Sequence, residues 1–205
     1  AILLTNMDFL TAIILGLVQG VLEFLPISSS GHLVMIRDVL NIDDVNALAI
    51  DAVLHLATTL AIITYFRSEL FVLLQALIRK LGRLPTNEKD LTLLMALCVG
   101  TVPAVILGLL LEDFVSNFKN AGVVAVVLFC SALFFMYAEW RYYVSPPQGE
   151  LTVKRGLLVG LFQALALIPG FSRSGATLAG GMLLGMSRLE SARFSFLLAI
   201  PITLG

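Results

Sequence analysis

The stretch EFLPISSSGH, from Glu23 to His32, interrupts one of the most apolar parts of the chain. It brings a carboxylate, three consecutive serines and an imidazole into a hydrophobic segment. Each of these groups costs free energy when it is buried without a partner. The stretch therefore predicts a polar site at a break in an apolar helix.

The composition indicates an integral membrane protein. Of the 205 residues 59% are hydrophobic and the mean hydropathy is +0.97. Charged residues make up 13%, against about 25% in an ordinary soluble domain. The apolar runs are long enough for helices and lack the alternation of membrane strands. We therefore predict an all-α, polytopic membrane protein surrounded by lipids, and the net charge of −1 gives no indication of a nucleic-acid partner.

Apolar segments follow one another along most of the chain. They lie at about 9–36, 48–66, 69–81, 91–111, 121–140, 156–186 and from 190 onward. The short segment 69–81 is followed by basic residues, which predicts a helix lying at the membrane surface. The last segment stops inside an apolar run, from which we expect that the chain is truncated at its C-terminus.

Two of these segments are interrupted in the middle. The first is broken at Pro26 and the serines, and the sixth at IPGFSRSG, from Ile168 to Gly175. Each half has roughly 10–15 residues, whereas a helix needs about 20 to cross a bilayer. Irregular backbone at membrane depth must be buried in protein or line a wet cavity. We therefore expect two re-entrant helical hairpins.

The basic residues predict the orientation in the membrane. If both hairpins return to their own side and four segments cross (48–66, 91–111, 121–140 and the last), the two sides differ strongly. One side holds Arg67, Arg79, Lys80, Arg83, Lys89, Arg141, Lys154, Arg155, Arg188 and Arg193; the other holds Arg37 and Lys119, together with the acidic Asp38, Asp43, Asp44, Glu112 and Asp113. The positive-inside rule makes the basic side cytoplasmic.

The two broken segments also resemble each other in sequence. GLVQGVLEFLPISSSGHL starts at Gly16 and GLFQALALIPGFSRSGAT starts at Gly160, an offset of 144 residues (160 minus 16). The identical pairs are Gly16/Gly160, Leu17/Leu161, Gln19/Gln163, Ser28/Ser172, Ser30/Ser174 and Gly31/Gly175. With the orientation above, this predicts one membrane domain (1–205) with an inverted-topology repeat, about 9–66 and about 156–205. Transporters build binding sites at such repeat interfaces, so transport is an alternative to catalysis.

The chemistry of the two repeats differs. Glu23 matches Leu167, His32 matches Ala176, and Ser29 matches Arg173. On a helix, Gly16, Gln19, Gly20 and Glu23 would share one side, and the glycines would let another helix approach closely. The acid and the imidazole thus belong to the first repeat and the guanidinium to the second.

If the tips of the two hairpins, where the helices are broken, meet each other, these groups predict a phosphate site. Arg173 and the N–H groups of SRSG form a cradle for phosphate. Gln19 and Glu23 offer oxygen ligands of the kind that Mg²⁺ or Ca²⁺ takes. His32 is a candidate general base or acid, and a serine is a candidate nucleophile.

Structural roles for the same groups remain open alternatives at this point. Glu23 and Arg173 are also compatible with a buried structural ion pair, and the serines with helix caps. His32 is compatible with a structural histidine. Asp51 and His55, four residues apart on one helix, could contact each other, and we favour a structural role for the pair.

The motifs QGVLE, FLPISSSGH and PGFSRSGAT resemble those of the undecaprenyl-pyrophosphate phosphatases, the bacitracin-resistance type of bacterial phosphatase. The resemblance covers the whole chain. It implies hydrolysis of the C55 lipid carrier diphosphate to the monophosphate, which recycles the carrier for cell-wall synthesis. It also implies dependence on a divalent cation, bacitracin resistance, a location in the plasma membrane with the site facing outward, and further helices after residue 205.

The resemblance assigns roles to particular residues. The catalytic set is Glu23, His32, Arg173 and Ser29; the phosphate-binding set is Ser28, Ser172, Arg173, Ser174 and Thr177; the metal ligands are Gln19 and Glu23. Gln19 stands where the family has Glu or Gln, which leaves one charge fewer for a metal. The covalent route through a serine and direct attack by water both remain open, as does a homodimer.

Two other functions are weighed against this one. Type-2 phosphatidic acid phosphatases also carry a Ser-Gly-His element, but they require an Arg-Pro motif and a second, distant histidine. This chain has no Arg-Pro and no histidine after Arg173, so that class is excluded. The second alternative is a flippase for the monophosphate carrier, which the repeat suggests.

Overall fold

The structure is a computed structural model that describes residues 9–40, 47–116, 120–145, 147 and 149–204. Within these ranges the chain is helical and has no strand. The helices are α1 (Phe9–Leu22), α2 (Ser29–Leu40), α3 (Ala47–Tyr65), α4 (Arg67–Leu81), α5 (Glu88–Ser116), α6 (Ala121–Val144), α7 (Val153–Ala164), α8 (Arg173–Leu183) and α9 (Arg188–Leu204). The predicted all-α class is confirmed.

Among the described residues, two helices are long and apolar enough to cross a membrane, and a bent pair of helices could form a third span. The two helices are the part of α5 from Glu88 to Leu111 and the whole of α6, with mean hydropathies of 2.5 and 2.3. Their outer faces expose large apolar side chains such as Leu109 and Phe129, which suits contact with lipid. These features are those of a multi-pass membrane protein.

The segments after residue 47 need a finer description. Helix α4 follows α3 at an angle of 76°, so the two form either one broken span or two separate elements. A helix is present at the segment predicted at 69–81, as α4, and its position at the membrane surface stays a prediction. The last apolar run forms α9, which is 17 residues long. Asp43, Asp44 and Lys119 lie outside the described residues.

Glycines bring two helices into close contact at the centre of the fold. A Cβ on Gly160 would lie 2.1 Å from the carbonyl oxygen of Gly100, and one on Gly156 would lie 2.6 Å from the Cβ of Ala96. Helices α5 and α7 therefore touch backbone to backbone, as small residues spaced four apart allow. An apolar core lies beside this contact, formed by Leu73, Leu93, Ala96, Leu97, Val159, Met186, Phe194, Leu197 and Leu198.

The glycines of α1 behave differently. A Cβ on Gly20 would meet nothing within 4 Å, and one on Gly16 would reach only the Leu54 side chain, at 4.0 Å. The predicted close approach of another backbone to these two glycines is therefore wrong for the described residues. Gln19 and Glu23 are nevertheless buried, and they make polar contacts with each other and with Ser29.

Candidate active site

The break after α1 turns the chain sharply and starts a new helix at the serines. Residues 23–27 form turns, Ser28 adopts a φ of 64°, and α2 begins at Ser29. The left-handed conformation is uncommon for a residue with a side chain and clusters at functional sites. The Ser28 hydroxyl accepts a hydrogen bond from the Gly31 N–H at 3.3 Å. Ser28 thus caps α2, as the capping alternative for the serines requires.

The break after α7 ends in the same kind of cap. A short 3-10 turn follows α7, Gly170 adopts a φ of 96°, and α8 begins at Arg173. The Ser172 hydroxyl accepts from the Gly175 N–H at 3.0 Å, as Ser28 does from Gly31. We call the two broken segments, α1 with α2 and α7 with α8, the first and second unit. In both units the hydroxyl of the capping serine also lies near that of the serine two residues later, at 3.4 Å in the first unit and 3.2 Å in the second.

The tips of the two units touch each other. The Ser174 hydroxyl donates to the carbonyl oxygen of Leu25 at 3.0 Å. A Cβ on Gly175 would lie 3.2 Å from the Pro26 carbonyl oxygen, and one on Gly31 would lie 3.2 Å from the Gly170 Cα. Each unit thus presents a glycine to the tip of the other, and a side chain at either glycine would push the tips apart.

Glu23 is the centre of the polar contacts between the units. Arg173 Nη2 donates to Glu23 Oε1 and forms an ion pair with it. Ser29 Oγ donates to Glu23 Oε2 at 2.5 Å, and Gln19 Nε2 donates to the same oxygen at 2.9 Å. Glu23 is 8% exposed. The predicted meeting of the acid of one repeat with the guanidinium of the other is present in the described structure.

The other amino group of Arg173 is held by the last helix. Nη1 donates to Thr203 Oγ1 at 2.6 Å and contacts the Ala199 carbonyl oxygen at 3.4 Å. The guanidinium therefore bridges Glu23 and α9, and its plane is fixed on two sides. Such a planar, multiply bonded group suits recognition of a phosphate better than a lysine does.

A cavity of about 270 Å³ opens beside the Glu23–Arg173 pair. Its lining includes six of the predicted site residues, Glu23, Ser28, Ser29, Ser172, Arg173 and Ser174. Ser30, His55, Gln163, Phe171 and several apolar residues complete the wall. Helices α2 and α8 both begin at this cavity, and the N-terminus of a helix favours anions.

Three predicted residues do not line this cavity. Gln19 lies behind Glu23 and contacts it, as already described. The ring of His32 places Nδ1 2.8 Å from the Ser28 carbonyl oxygen, within its own helix start. Thr177 Oγ1 lies 2.5 Å from Ser195 Oγ and 2.8 Å from the Arg173 carbonyl oxygen. The structure therefore does not bring His32 or Thr177 to the cavity, because local backbone and helix-helix contacts hold both side chains.

The histidine in the cavity is His55. Its Nε2 lies 3.7 Å from Glu23 Oε2, and its Nδ1 lies 2.8 Å from the backbone oxygen of Asp51. The Asp51 carboxylate is bound by Arg37 at 2.5 and 3.0 Å. The possible contact between Asp51 and His55 is thus made through the Asp51 backbone, while the carboxylate faces Arg37 and the imidazole faces Glu23. The structural role favoured for the pair stays a prediction. One signal in the sequence pointed to His55, a histidine in an apolar segment.

Gln163 is the second cavity residue without a predicted role. Neither its Nε2 nor its Oε1 has a hydrogen-bond partner in the described part of the chain. Its match to Gln19 in the repeat was the signal that pointed to it.

The oxygen atoms near Glu23 suit a divalent cation for which a bound substrate supplies the remaining ligands. Gln19 Oε1 is buried and has no hydrogen-bond partner in the described structure, and Glu23 Oε1 accepts only from Arg173 among the described contacts. No group of three or more His, Cys, Asp or Glu side chains gathers among the described residues. Mg²⁺ is commonly held by one or two carboxylates together with substrate phosphates, which is the arrangement that this donor set suits.

Comparison with known proteins gives a consistent result. The family model described as bacitracin resistance protein BacA matches residues 12–205. An undecaprenyl-diphosphatase 1 of Pseudoalteromonas translucida is 42% identical, over 96% of this chain and 73% of its own length. An undecaprenyl-diphosphatase of Methanosphaera stadtmanae is 41% identical, over 97% of this chain and 75% of that protein. One from Myxococcus xanthus is 43% identical, over 96% and 67%.

Proposed function

The chain belongs to the family of the bacitracin resistance protein BacA, and from this premise we propose that it hydrolyses undecaprenyl diphosphate at the cavity beside Glu23 and Arg173. The products are undecaprenyl phosphate and inorganic phosphate, so the enzyme recycles the lipid carrier for cell-wall synthesis. The main observation behind this choice of site is the ion pair between Glu23 and Arg173, which joins the two tips next to the Ser29 hydroxyl. The names of the relatives favour this hydrolysis over the transport alternative.

The diphosphate binds between the two helix starts. Arg173 turns its guanidinium from Glu23 toward the terminal phosphate and remains anchored by Thr203. The hydroxyls of Ser28, Ser172 and Ser174 lie around the same cavity and donate to phosphate oxygens. Charge-assisted hydrogen bonds of this kind are the strong ones, and they strengthen as charge develops on the transferred group.

Ser29 is the nucleophile of this mechanism. Its Oγ attacks the terminal phosphorus, a bond forms between them, and the bond from that phosphorus to the bridging oxygen breaks. The leaving group is undecaprenyl phosphate, and the Oγ proton passes to Glu23 Oε2, with which it already shares a 2.5 Å hydrogen bond. Water then attacks the phosphoserine, releases inorganic phosphate and restores the hydroxyl. A base in hydrogen-bond contact with the nucleophile is the usual arrangement for such a step.

The site has oxygen atoms that would hold a divalent cation, Mg²⁺ or Ca²⁺, when the diphosphate is bound. Gln19 Oε1 and Glu23 would hold it together with phosphate oxygens, and when bound it neutralises part of the negative charge of the diphosphate. His32 and Thr177, which the resemblance assigns to the site, support the start of α2 and the contact between α8 and α9 in this proposal.

The two broken units form re-entrant hairpins of an inverted repeat in this proposal. The matching caps and the reciprocal glycine contacts at the tips support that relation. Ion pairs join several helix ends at the basic side, Arg193 with Glu69 at 2.5 Å and Lys89 with Glu150 at 3.7 Å. That side faces the cytoplasm by the positive-inside rule, the protein lies in the plasma membrane, and the site opens outward. A homodimer stays a prediction of the sequence.

The lipid tail lies along the protein next to the same tip. Phe24 follows Glu23 in the chain and lines a second, largely apolar cavity of about 580 Å³. Ile62, Phe66 and Phe196 form other parts of its wall. An isoprenoid chain bound there would bury apolar surface, while its diphosphate reaches the polar cavity.

The test is phosphate release from the lipid diphosphate by the purified protein. Arg173→Ala and Glu23→Ala should each lower kcat/KM by at least about a thousandfold, since each removes a charge at the reacting group. Because a lone buried charge also destabilises the fold, thermal unfolding is measured in parallel, and Arg173→Lys keeps the charge. Arg188→Ala, which breaks the peripheral pair with Glu139, is the matched control and should retain activity. Near-normal turnover by Arg173→Ala or Glu23→Ala would overturn the assignment.

A further inference from the structure

The amide of Gln163 has no protein partner although it is buried at the wall of the cavity. The residue is 2% exposed, and both Nε2 and Oε1 lack a hydrogen bond within the described residues. Buried amides are almost always hydrogen-bonded, and an unpaired one costs free energy.

The sequence repeat shows why this amide is unpaired. The matching Gln19 donates its Nε2 to Glu23 at 2.9 Å. The residue that corresponds to Glu23 in the second unit is Leu167, which offers no acceptor on its side chain. Leu167 also lines the cavity, so the amide and the apolar side chain face the same space. The second unit thus keeps the amide and has lost the carboxylate that would occupy it.

The position of Gln163 is fixed by its helix. It is one residue before the end of α7, and α7 is pressed against α5 at Gly156 and Gly160. That backbone contact holds α7 in place. Gln163 lines the same cavity as Arg173, Ser172 and Ser174, so a molecule bound there can reach the amide.

We propose that Gln163 is a substrate-binding residue, whose Nε2 donates to a phosphate oxygen of the diphosphate and whose Oε1 accepts from the water that completes the hydrolysis. This inference rests on the proposed function and adds a residue to it. The amide is neutral, so it adds direction to the binding of the phosphate without the charge that Arg173 supplies. An amide that bridges phosphate and water needs both a donor and an acceptor, and Gln163 has both free.

The experiment compares activity with stability in the full-length protein. Gln163→Met has nearly the same length and no polar amide. We expect kcat/KM for the lipid diphosphate to fall about tenfold to a hundredfold, the effect of one lost hydrogen bond to a charged group. The unfolding temperature should stay the same or rise, because an unpaired buried amide is removed. A structural role predicts the opposite pattern, a lower unfolding temperature.

Two further variants sharpen the result. Gln163→Glu keeps an acceptor, loses the donor and places a negative charge beside the diphosphate, so KM should rise more than in Gln163→Met. Ser191→Ala is the matched control, since the Ser191 hydroxyl is also buried and unpaired among the described residues but does not line the cavity. Its kcat/KM should stay within about twofold of the wild-type value, because buried unpaired groups outside the site have no part in catalysis.

A binding measurement decides the question if Gln163→Met folds poorly. Pyrophosphate is used as the probe, and the rise in unfolding temperature that it causes is recorded for the wild type, Gln163→Asn and Gln163→Glu. A smaller rise in both variants supports the proposal. The proposal is overturned if Gln163→Met has the kcat/KM of the wild type. It is also overturned if pyrophosphate raises the unfolding temperature of Gln163→Asn or Gln163→Glu as much as that of the wild type. If the wild-type protein does not hydrolyse the lipid diphosphate at all, the proposed function itself is overturned.

Discussion

Glu23 and Arg173 are 150 residues apart in the sequence, and their side chains form an ion pair at the meeting point of two helix breaks. Each partner neutralises a charge that would be costly to bury alone. In the proposed mechanism, a phosphate that enters the cavity would replace Glu23 as the partner of the guanidinium. Glu23 would then be released beside the Ser29 hydroxyl, so that one arginine would couple substrate binding to the availability of the base.

Replacement of Ser29 tests the covalent route. Ser29→Ala should lower phosphate release by at least about a thousandfold, since the nucleophile is lost. Ser30→Ala is the matched neighbour, and its loss should be much smaller because the Ser30 hydroxyl lies near Ser28 and not near Glu23. Acid quenching with radiolabelled substrate should trap a phosphoserine in the wild type. Comparable activity of the two alanine variants would point to direct attack by water.

The two histidines should differ in their effect on turnover. His55 lies 3.7 Å from Glu23 in the cavity, whereas the His32 ring is held at the Ser28 carbonyl. His55→Ala should lower kcat/KM by about tenfold or more, the effect of losing one contact worth roughly 1.4 kcal/mol. His32→Ala should mainly lower the unfolding temperature. Steady-state kinetics and thermal unfolding of both variants check this, and a larger kinetic effect at His32 would contradict it.

Two glycines, one from each repeat, should respond in opposite ways to alanine. Gly160→Ala places a Cβ 2.1 Å from the Gly100 carbonyl oxygen, so α5 and α7 must separate. A loss of about 1–3 kcal/mol in the free energy of unfolding is expected from such overpacking. Gly20→Ala meets nothing within 4 Å and should be neutral or stabilising by up to about 1 kcal/mol, since Ala favours a helix. Equal destabilisation of both variants would count against the described packing.

Removal of divalent cations should lower the rate of hydrolysis. Excess chelator should reduce phosphate release by at least about tenfold, and added Mg²⁺ or Ca²⁺ should restore it, because the cation neutralises the diphosphate. Gln19→Leu removes the unpaired Oε1 and should raise the Mg²⁺ concentration needed for half-maximal activity. Full activity of the wild type in excess chelator would rule out the cation.

Labelling from one side of the membrane tests the proposed orientation. Asp38 is exposed near the end of α2, and Lys80 is exposed near the end of α4. In a background without Cys98 and Cys130, Asp38→Cys should react with a membrane-impermeant thiol reagent added outside intact cells. Lys80→Cys should react only after permeabilisation, as the positive-inside rule requires. The reverse pattern would place the site on the cytoplasmic face.

The sequence repeat predicted the contact at the centre of the site because it aligned two breaks with complementary charges. Glu23, Ser29 and Arg173 are brought together, and the capping serines hold the helix starts. Matching sequence positions predict matching local backbone, since caps and turns depend on neighbours in the chain. The caps are local, and so they could be predicted, whereas the contact between Glu23 and Arg173 followed only on the hypothesis that the two tips meet.

The remaining site residues depend on how helices pack. His55 reaches Glu23 only because α3 lies against α1 at one particular rotation, and its spacing to Asp51 favoured a local pair instead. Thr177 follows the arginine by one helical turn, but that turn faces Ser195 of α9. Helix periodicity limits which side chains share a face and leaves open which neighbour each face meets.

The residues that join the two tips differ from the residues that supply the reactive groups. The positions that the halves share, the capping serines and Gly31 with Gly175, are those that shape the junction. The positions at which they differ, Ser29 against Arg173 and Glu23 against Leu167, supply the reactive groups. The two segments thus share the residues that shape their junction and differ in the groups that the proposed mechanism uses. In that mechanism the nucleophile and the base come from one segment and the guanidinium from the other, so a substitution that separates the two tips should stop the reaction even where every reactive group is kept.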